Sequence, residues 1–154
     1  MTRVYRICRS DRVKFDGEGA RIAGGRWNHP GTRLVYTAQS ESLALLETLV
    51  HLMERQMPTN HVCVPAEIPD ELIEWFPDAD LPKDWRTSPV STVAAGSKWY
   101  ESGRLPVLSV PSVVVPRERN YLLRPSHSRF TGIVVLNPLP AEFDPRFWKV
   151  KSVN

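Results

Sequence analysis

The sequence predicts an α+β fold: a compact single domain over residues 1–154, with a mixed or largely antiparallel sheet and a few helices. Three observations carry this. Short apolar runs of strand-like composition outnumber helical stretches and follow one another, which argues against a doubly wound βαβ array. Only two stretches carry strong helix signals, one through apolar periodicity and one through its end residues. Fourteen prolines, spread along the chain, punctuate it into short elements joined by many loops.

In chain order, Val4–Cys8 (VYRIC) reads as the first strand, with Tyr5 and Ile7 on one face and Arg6 on the other. The following SDRVKFDGEGARIAGG is rich in Gly and Asp and lacks a period, so a long loop with a hairpin-like excursion is expected. Arg33–Ala38 (RLVYTA) is the next strand, introduced by a turn at Pro30-Gly31. Ser40 is placed to cap a helix running to about Arg55. On that helix Leu43, Leu45, Leu46, Leu49, Val50, Leu52 and Met53 cover about half the circumference, and Glu47 falls roughly 40° outside their arc. His61–Pro69 (HVCVPAEIP) reads as a strand interrupted by Pro65, hence an edge or bulged one. DELIEWFPDADLPKDW holds most of the acidic excess with Trp75, Phe76 and Trp85; it reads as a solvated helix-and-turn surface or a partner-facing patch. Ser88-Pro89 opens a second helix, with a capping serine and proline at the first helical position, and the helix stops near Ser102-Gly103. PVLSVP and SVVVP around Pro111, then Gly132–Leu136 (GIVVL), complete the strands.

Composition narrows the function classes. With 42% hydrophobic and 24% charged residues the chain is an ordinary globular protein that can bury a core without metal or disulfide staples. Cys8 and Cys63 lie in strand-like runs without metal-ligand spacing, which fits free thiols in a reducing cytoplasm. No apolar run is long enough for a membrane span or a secretory signal, so a cytoplasmic location is expected. Net charge is +3, unevenly spread: residues 1–33 carry eight Lys/Arg against three Asp/Glu, residues 34–84 two against ten, residues 85–154 ten against four. Two basic arms around an acidic middle suit a diphosphate ligand, an acidic protein or nucleic acid. No helix-turn-helix, zinc finger or aromatic RNA platform accompanies them, which counts against direct nucleic-acid binding.

Chemistry concentrates in GGRWNHPGTRLVYTAQSESLALLETLVH, residues 24–51. Gly24 and Gly25 permit close backbone approach to a ligand, and Arg26 supplies a planar fork for phosphate or carboxylate. Taken alone, the GGR turn reads first as a hairpin with a solvated Arg26, Tyr36 as a core aromatic and Glu47 as a rim glutamate. Walker, GxGxxG, HExxH and paired CxxC motifs are absent. His29, His51, His61 and His127 show no metal spacing, so no metal is expected, and Ser112 lacks the flanking glycines of a nucleophile elbow.

Read together, YRI, FDGEGARIAGGRWN, GTRLVYTA, SLALLETLVH, LPKDWR, VLSVPSVVVPRERNYLLRPSH and FDPRF follow one another in an order that resembles the RES domain family over most of the chain. The Arg, Glu and Ser of the family's name fall on Arg26, Glu47 and Ser112. Two positions depart from its pattern: Arg124 stands where asparagine is expected and Ser128 where proline is. The resemblance implies a fold similar to ADP-ribosyltransferases and a toxin that cleaves NAD⁺ at the nicotinamide–ribose bond. NAD⁺ is then a substrate, with no further cofactor and no metal. Water or phosphate as acceptor makes the activity a glycohydrolase or phosphorylase; a protein side chain makes it a protein ADP-ribosyltransferase. The implied catalytic set is Glu47, Arg26 and Tyr36, and the implied substrate-binding set is Arg6, Gly25, Arg26, Tyr36, Ser112 and Asn120. Breaking the ribosyl bond develops positive charge on the sugar, which a carboxylate such as Glu47 would stabilise. Arg26 with Arg6 would hold the diphosphate, Tyr36 would stack on nicotinamide or orient the ribose, and Ser112 and Asn120 would add polar contacts. The implied partner is an Xre-type helix-turn-helix antitoxin. Homo-oligomerisation within that complex stays open, as does whether Ser112 touches ligand or supports its loop.

Overall fold

The computed structural model describes residues 1–52 and 57–148. In chain order the elements are β1 (Thr2–Arg9), α1 (Glu18–Ala23), β2 (Val35–Ala38), α2 (Glu41–His51), β3 (His61–Ile68), β4 (Ile73–Trp75), α3 (Pro89–Ser102), β5 (Val107–Pro111), β6 (Arg119–Leu123), β7 (Val134–Val135) and β8 (Leu139–Pro140), with short 3-10 turns between. The strands form one mixed sheet in the order β4-β5-β6-β2-β1-β3-β7, with β8 also on β3. Among the described strands only the β4–β5 pair is parallel. The architecture is the α+β one expected.

Both faces of the sheet centre are covered, which explains why its strands read as continuous apolar runs. Successive residues divide between two cores. Val35, Val107 and Leu123 join Val4, Val64 and Ile68 on one side. Leu34, Leu108, Val110 and Leu122 join Trp27 and Trp99 on the other. The second core is closed by α3, whose buried residues are Thr92, Val93, Gly96 and Trp99.

Pairing is uneven across the sheet, and that unevenness positions the site. β1 is in register with β3 along its whole length, from Thr2↔Ile68 to Arg9↔His61. β2 is in register with β6 from Val35↔Leu123 to Ala38↔Asn120. Yet β1 and β2 meet only at Tyr5↔Ala38. The sheet is split beyond that point.

Several sequence expectations need correction. The Gly/Asp-rich stretch before Gly24 contains α1: Gly17 takes the left-handed conformation, and Asp16 accepts from the Glu18 N–H at the helix start. β3 is an interior strand, since β1 lies on one side and β7 and β8 on the other. Pro65 is tolerated because its missing N–H points to the side where its carbonyl accepts from Leu136, in the gap between β7 at Ala66–Glu67 and β8 at Val62–Cys63. The acidic stretch contributes β4, and the unforeseen RNYLL forms β6. SVVVP is no strand: Ser112 Oγ accepts from the N–H groups of Val114 and Val115, curling the chain into a turn. α2 is capped by Ser40, which accepts from the Leu43 N–H, and ends at His51 with Leu52 already extended. The expected continuation to Arg55, with Met53, falls on residues 53–56, outside those described. Of its expected apolar stripe only Leu43 is buried among the described residues, beside Ala44, which was not part of the stripe, while Leu46 and Val50 are exposed. α3 starts at Pro89 as expected, but the Ser88 side chain makes no cap bond. Cys8 and Cys63 are free thiols, the second buried. No helix among the described residues is long and apolar enough to cross a membrane.

Candidate active site

The split between β1 and β2 opens a cleft of about 780 Å³. That volume lies within the range of small-molecule sites, roughly 300–1,000 Å³. β1 contributes Tyr5, Arg6 and Ile7 to its lining, β2 Tyr36 to Ala38, the glycine turn Gly24 to Trp27, and α2 Ala44, Glu47, Thr48 and His51. Asn120 and the turn after Pro111 close the far side. Arg26, Tyr36 and Glu47 therefore face one hollow, and Glu47 is its only carboxylate among the described residues.

The Arg26 wall is built from backbone and buried polar groups. Gly25 and Asn28 form a bridge, the Gly25 N–H donating to the Asn28 carbonyl at 3.1 Å. The buried Asn28 amide donates to the carbonyls of Ala20, His29 and Thr32. Tyr36 locks the turn: its hydroxyl donates to Asn28 Oδ1 at 2.6 Å and accepts from the Trp27 N–H at 3.0 Å. Burial pushes the Tyr36 phenol well above its ordinary value, only partly offset by the Trp27 N–H. A Cβ on Gly25 would lie 2.6 Å from the Tyr36 hydroxyl, so only glycine fits. Arg26 itself is half-buried, and its guanidinium makes one long contact, Nη1 to the Arg86 carbonyl at 3.4 Å. Most of its fork is left for a ligand.

The Glu47 wall is built from side chains. Ser112 Oγ and Asn120 Nδ2 both donate to Glu47 Oε1, each at 2.7 Å. Ser112 in turn accepts from two backbone N–H groups, which fixes its hydroxyl and strengthens it as a donor. Glu47 Oε2 makes no hydrogen bond with any described residue. One carboxylate oxygen is clamped and the other is available. The Asn120 carbonyl oxygen is buried without a partner among the described residues.

Of the residues implied by the sequence, Arg6, Gly25, Arg26, Tyr36, Glu47 and Asn120 line the cleft. Ser112 does not: it is fully buried behind Glu47. Arg6 donates through Nη1 to the carbonyls of Arg12 and Lys14 and lies over the Phe15 ring at 5.5 Å from its centroid. It also borders a side cavity of about 200 Å³ with Gly17 and Gly19. The Arg124 departure lies away from the cleft, where it stacks on Tyr100 at 4.0 Å and donates to the Tyr100 carbonyl. Sequence reasoning missed Asn28, Thr48 and His51. His51 was recoverable, since it stands four residues after Glu47 on the same helix face.

Fold and cleft define an α+β protein in which one available carboxylate and two arginines line a single ligand-sized hollow. The RES domain model matches residues 3–144, and the chain belongs to the RES domain family. It is 42% identical over 137 residues to a protein of Sphingobium sp. (strain YBL2) named Prs ADP-ribosylating toxin, covering 86% of this chain and 85% of that one. It is 42% identical over 135 residues to Toxin Res of Yersinia enterocolitica, covering 86% and 89%. It is 36% identical over 154 residues to Toxin Res of Photorhabdus laumondii, covering 97% and 99%. Among solved structures, the crystal structure of the M. tuberculosis MbcT-MbcA toxin-antitoxin complex has a chain of similar fold, with TM-score 0.73 at 19% identity over 95% of this chain and 86% of that one.

Proposed function

We propose that this chain is a RES-domain toxin that cleaves NAD⁺ between nicotinamide and ribose. The observation that carries the reading is Glu47: Oε1 is held by two donors, Oε2 bonds no described residue, and Glu47 lines a cleft shared with Arg26, Tyr36 and Arg6. In the reaction the C1′–N1 bond breaks and its electron pair leaves with neutral nicotinamide. The ribosyl cation that develops is stabilised by the Glu47 carboxylate, which also accepts from a ribose hydroxyl through Oε2. A carboxylate fixed before the substrate arrives needs little reorganisation in the transition state. Arg26 holds the diphosphate with the exposed part of its fork, and Arg6 assists from β1. The Tyr36 ring packs against nicotinamide, while its hydroxyl remains committed to the Arg26 turn. Water as acceptor yields ADP-ribose, and phosphate yields the ADP-ribose phosphate ester. No metal or further cofactor takes part.

A protein side chain as acceptor is the second reading, favoured by the Sphingobium relative's name. A direct nucleic-acid role has less support, because seven of the 20 Lys/Arg are engaged within the fold: Arg3, Arg9, Arg21, Arg33, Arg104, Arg119 and Arg146 each bridge to a carboxylate. The partner that follows is an Xre-type helix-turn-helix antitoxin that neutralises the toxin. The deciding experiment incubates purified protein with isotopically labelled NAD⁺, with and without phosphate, and identifies the products. Nicotinamide release with soluble ADP-ribose or its phosphate supports the first reading, and label on protein supports the second. NAD⁺ left intact by folded, antitoxin-free protein refutes both.

A further inference from the structure

We infer that Thr92, on α3, is a positioning residue for Arg26, acting through the backbone of the glycine turn; the inference rests on the NAD⁺ reading above. Thr92 is fully buried, and its Oγ1 donates to the Arg26 carbonyl at 2.5 Å, with a weaker contact to the Pro89 carbonyl at 3.1 Å. A helical threonine commonly bonds back to a carbonyl three or four residues earlier, here Pro89. This one turns most of its hydrogen-bonding capacity to a residue 66 positions away. One helical turn later Gly96 sits against the same segment, and a Cβ there would overlap the Trp27 carbonyl oxygen. Thr92 and Gly96 share a helix face at i and i+4, so α3 meets the turn by a hydroxyl and by bare backbone.

The guanidinium end is held by the same stretch of chain, since Arg26 Nη1 donates to the Arg86 carbonyl just before α3 begins. Residues 86–96 thus engage Arg26 at both its backbone and its charged tip. Tyr36 and Asn28 fix the turn on its cleft side, but neither bonds the Arg26 carbonyl. Thr92 alone among the described side chains does so. Without that bond the Arg26 carbonyl is a buried acceptor lacking its partner, and the turn shifts to regain one. A small displacement of the peptide is magnified at the end of a long side chain, so ligand affinity suffers before the fold does.

The test measures NAD⁺ affinity by calorimetry and nicotinamide release kinetics for wild type, Thr92→Val, Thr92→Ser, Arg26→Ala and the Arg26→Ala/Thr92→Val double variant, each checked by thermal melting. Thr92→Val keeps the shape and removes the donor. It is expected to raise Kd and KM for NAD⁺ by about three- to tenfold with a smaller change in kcat. Thr92→Ser restores wild-type affinity, and Thr92→Val adds no further loss to Arg26→Ala. Should Thr92→Val fail to fold, Thr92→Ala is read against the same expectations. An unchanged Kd in either folded variant, or an equal loss in the Arg26→Ala background, overturns the inference alone. Wild type that neither binds NAD⁺ nor releases nicotinamide overturns the reading of the cleft, and this inference with it.

Discussion

The two walls of the cleft are built on opposite principles. On one side a carboxylate is held rigidly by side chains that come from remote parts of the chain: Ser112 after β5 and Asn120 on β6 converge on a single oxygen of Glu47. On the other side the backbone is rigid and the functional group is loose. The glycine turn is locked by Tyr36, Asn28 and Thr92, yet the Arg26 guanidinium has one contact of 3.4 Å. The difference matches the two tasks proposed for these walls. A group that meets developing charge gains from being fixed beforehand, whereas a group that captures a flexible diphosphate needs reach and free donors.

The largest effect should come from Glu47→Gln, which keeps size and removes charge. Turnover is expected to fall about a hundredfold or more while the melting temperature stays near wild type, measured by nicotinamide release and calorimetric scanning. Full activity in this variant would strip the rigid wall of its chemical role. Arg26→Ala should weaken NAD⁺ binding by about ten- to a hundredfold, with kcat less affected. An unchanged titration would mean the loose wall does not touch the diphosphate. Ser112→Ala sharpens the comparison, because Ser112 is out of the cleft. It should lower kcat about tenfold with KM nearly constant, and cost about 1–3 kcal/mol in denaturant unfolding as buried N–H groups lose their acceptor. A pure KM effect would instead make Ser112 a ligand contact.

The smallest effect concerns α1, which leads into the Arg26 turn. The Arg21 guanidinium, assisted by Arg33, lowers the Glu18 carboxyl to about 2 from an ordinary 4.5. A depressed acid contributes stability above its unfolded value, and that contribution is lost as pH falls through the folded one. Melting temperature should therefore decline between about pH 4.5 and 2. Asp70, beside the N-terminal ammonium, and Asp144, beside Arg146, act in the same direction. Glu18→Gln should show a shallower decline, and an identical slope would show that its exposed ion pairs are without consequence.

Part of the candidate site is local in the sequence, but only the family resemblance turned a hairpin arginine, a core aromatic and a rim glutamate into one site. Gly25, Arg26 and Tyr36 lie within a dozen residues, and the apolar period of α2 put Glu47 at the rim of its buried face. Asn120 and Ser112 were reachable only through family resemblance, since nothing in RNYLL or VPSVV by itself points at a glutamate more than 60 residues away. The strands missed or misplaced have two causes. β4 is short and sits among acidic residues, β6 is apolar over only part of its length, and SVVVP has strand composition but a serine that curls it. For β4 and β6 strand partners decided the conformation and propensity did not, whereas in SVVVP a local serine turn overrode strand composition.

By itself the sequence determined the α+β class, the start of both long helices and the chemical groups available to the cleft, because periodicity, caps and residue type are properties of neighbouring positions. Only the tertiary structure decided that β1 and β2 part after Tyr5↔Ala38, that Ser112 stands behind Glu47, and that α3 grips the Arg26 turn. Those are long-range contacts, set by which surfaces must be buried together, and no local pattern encodes them.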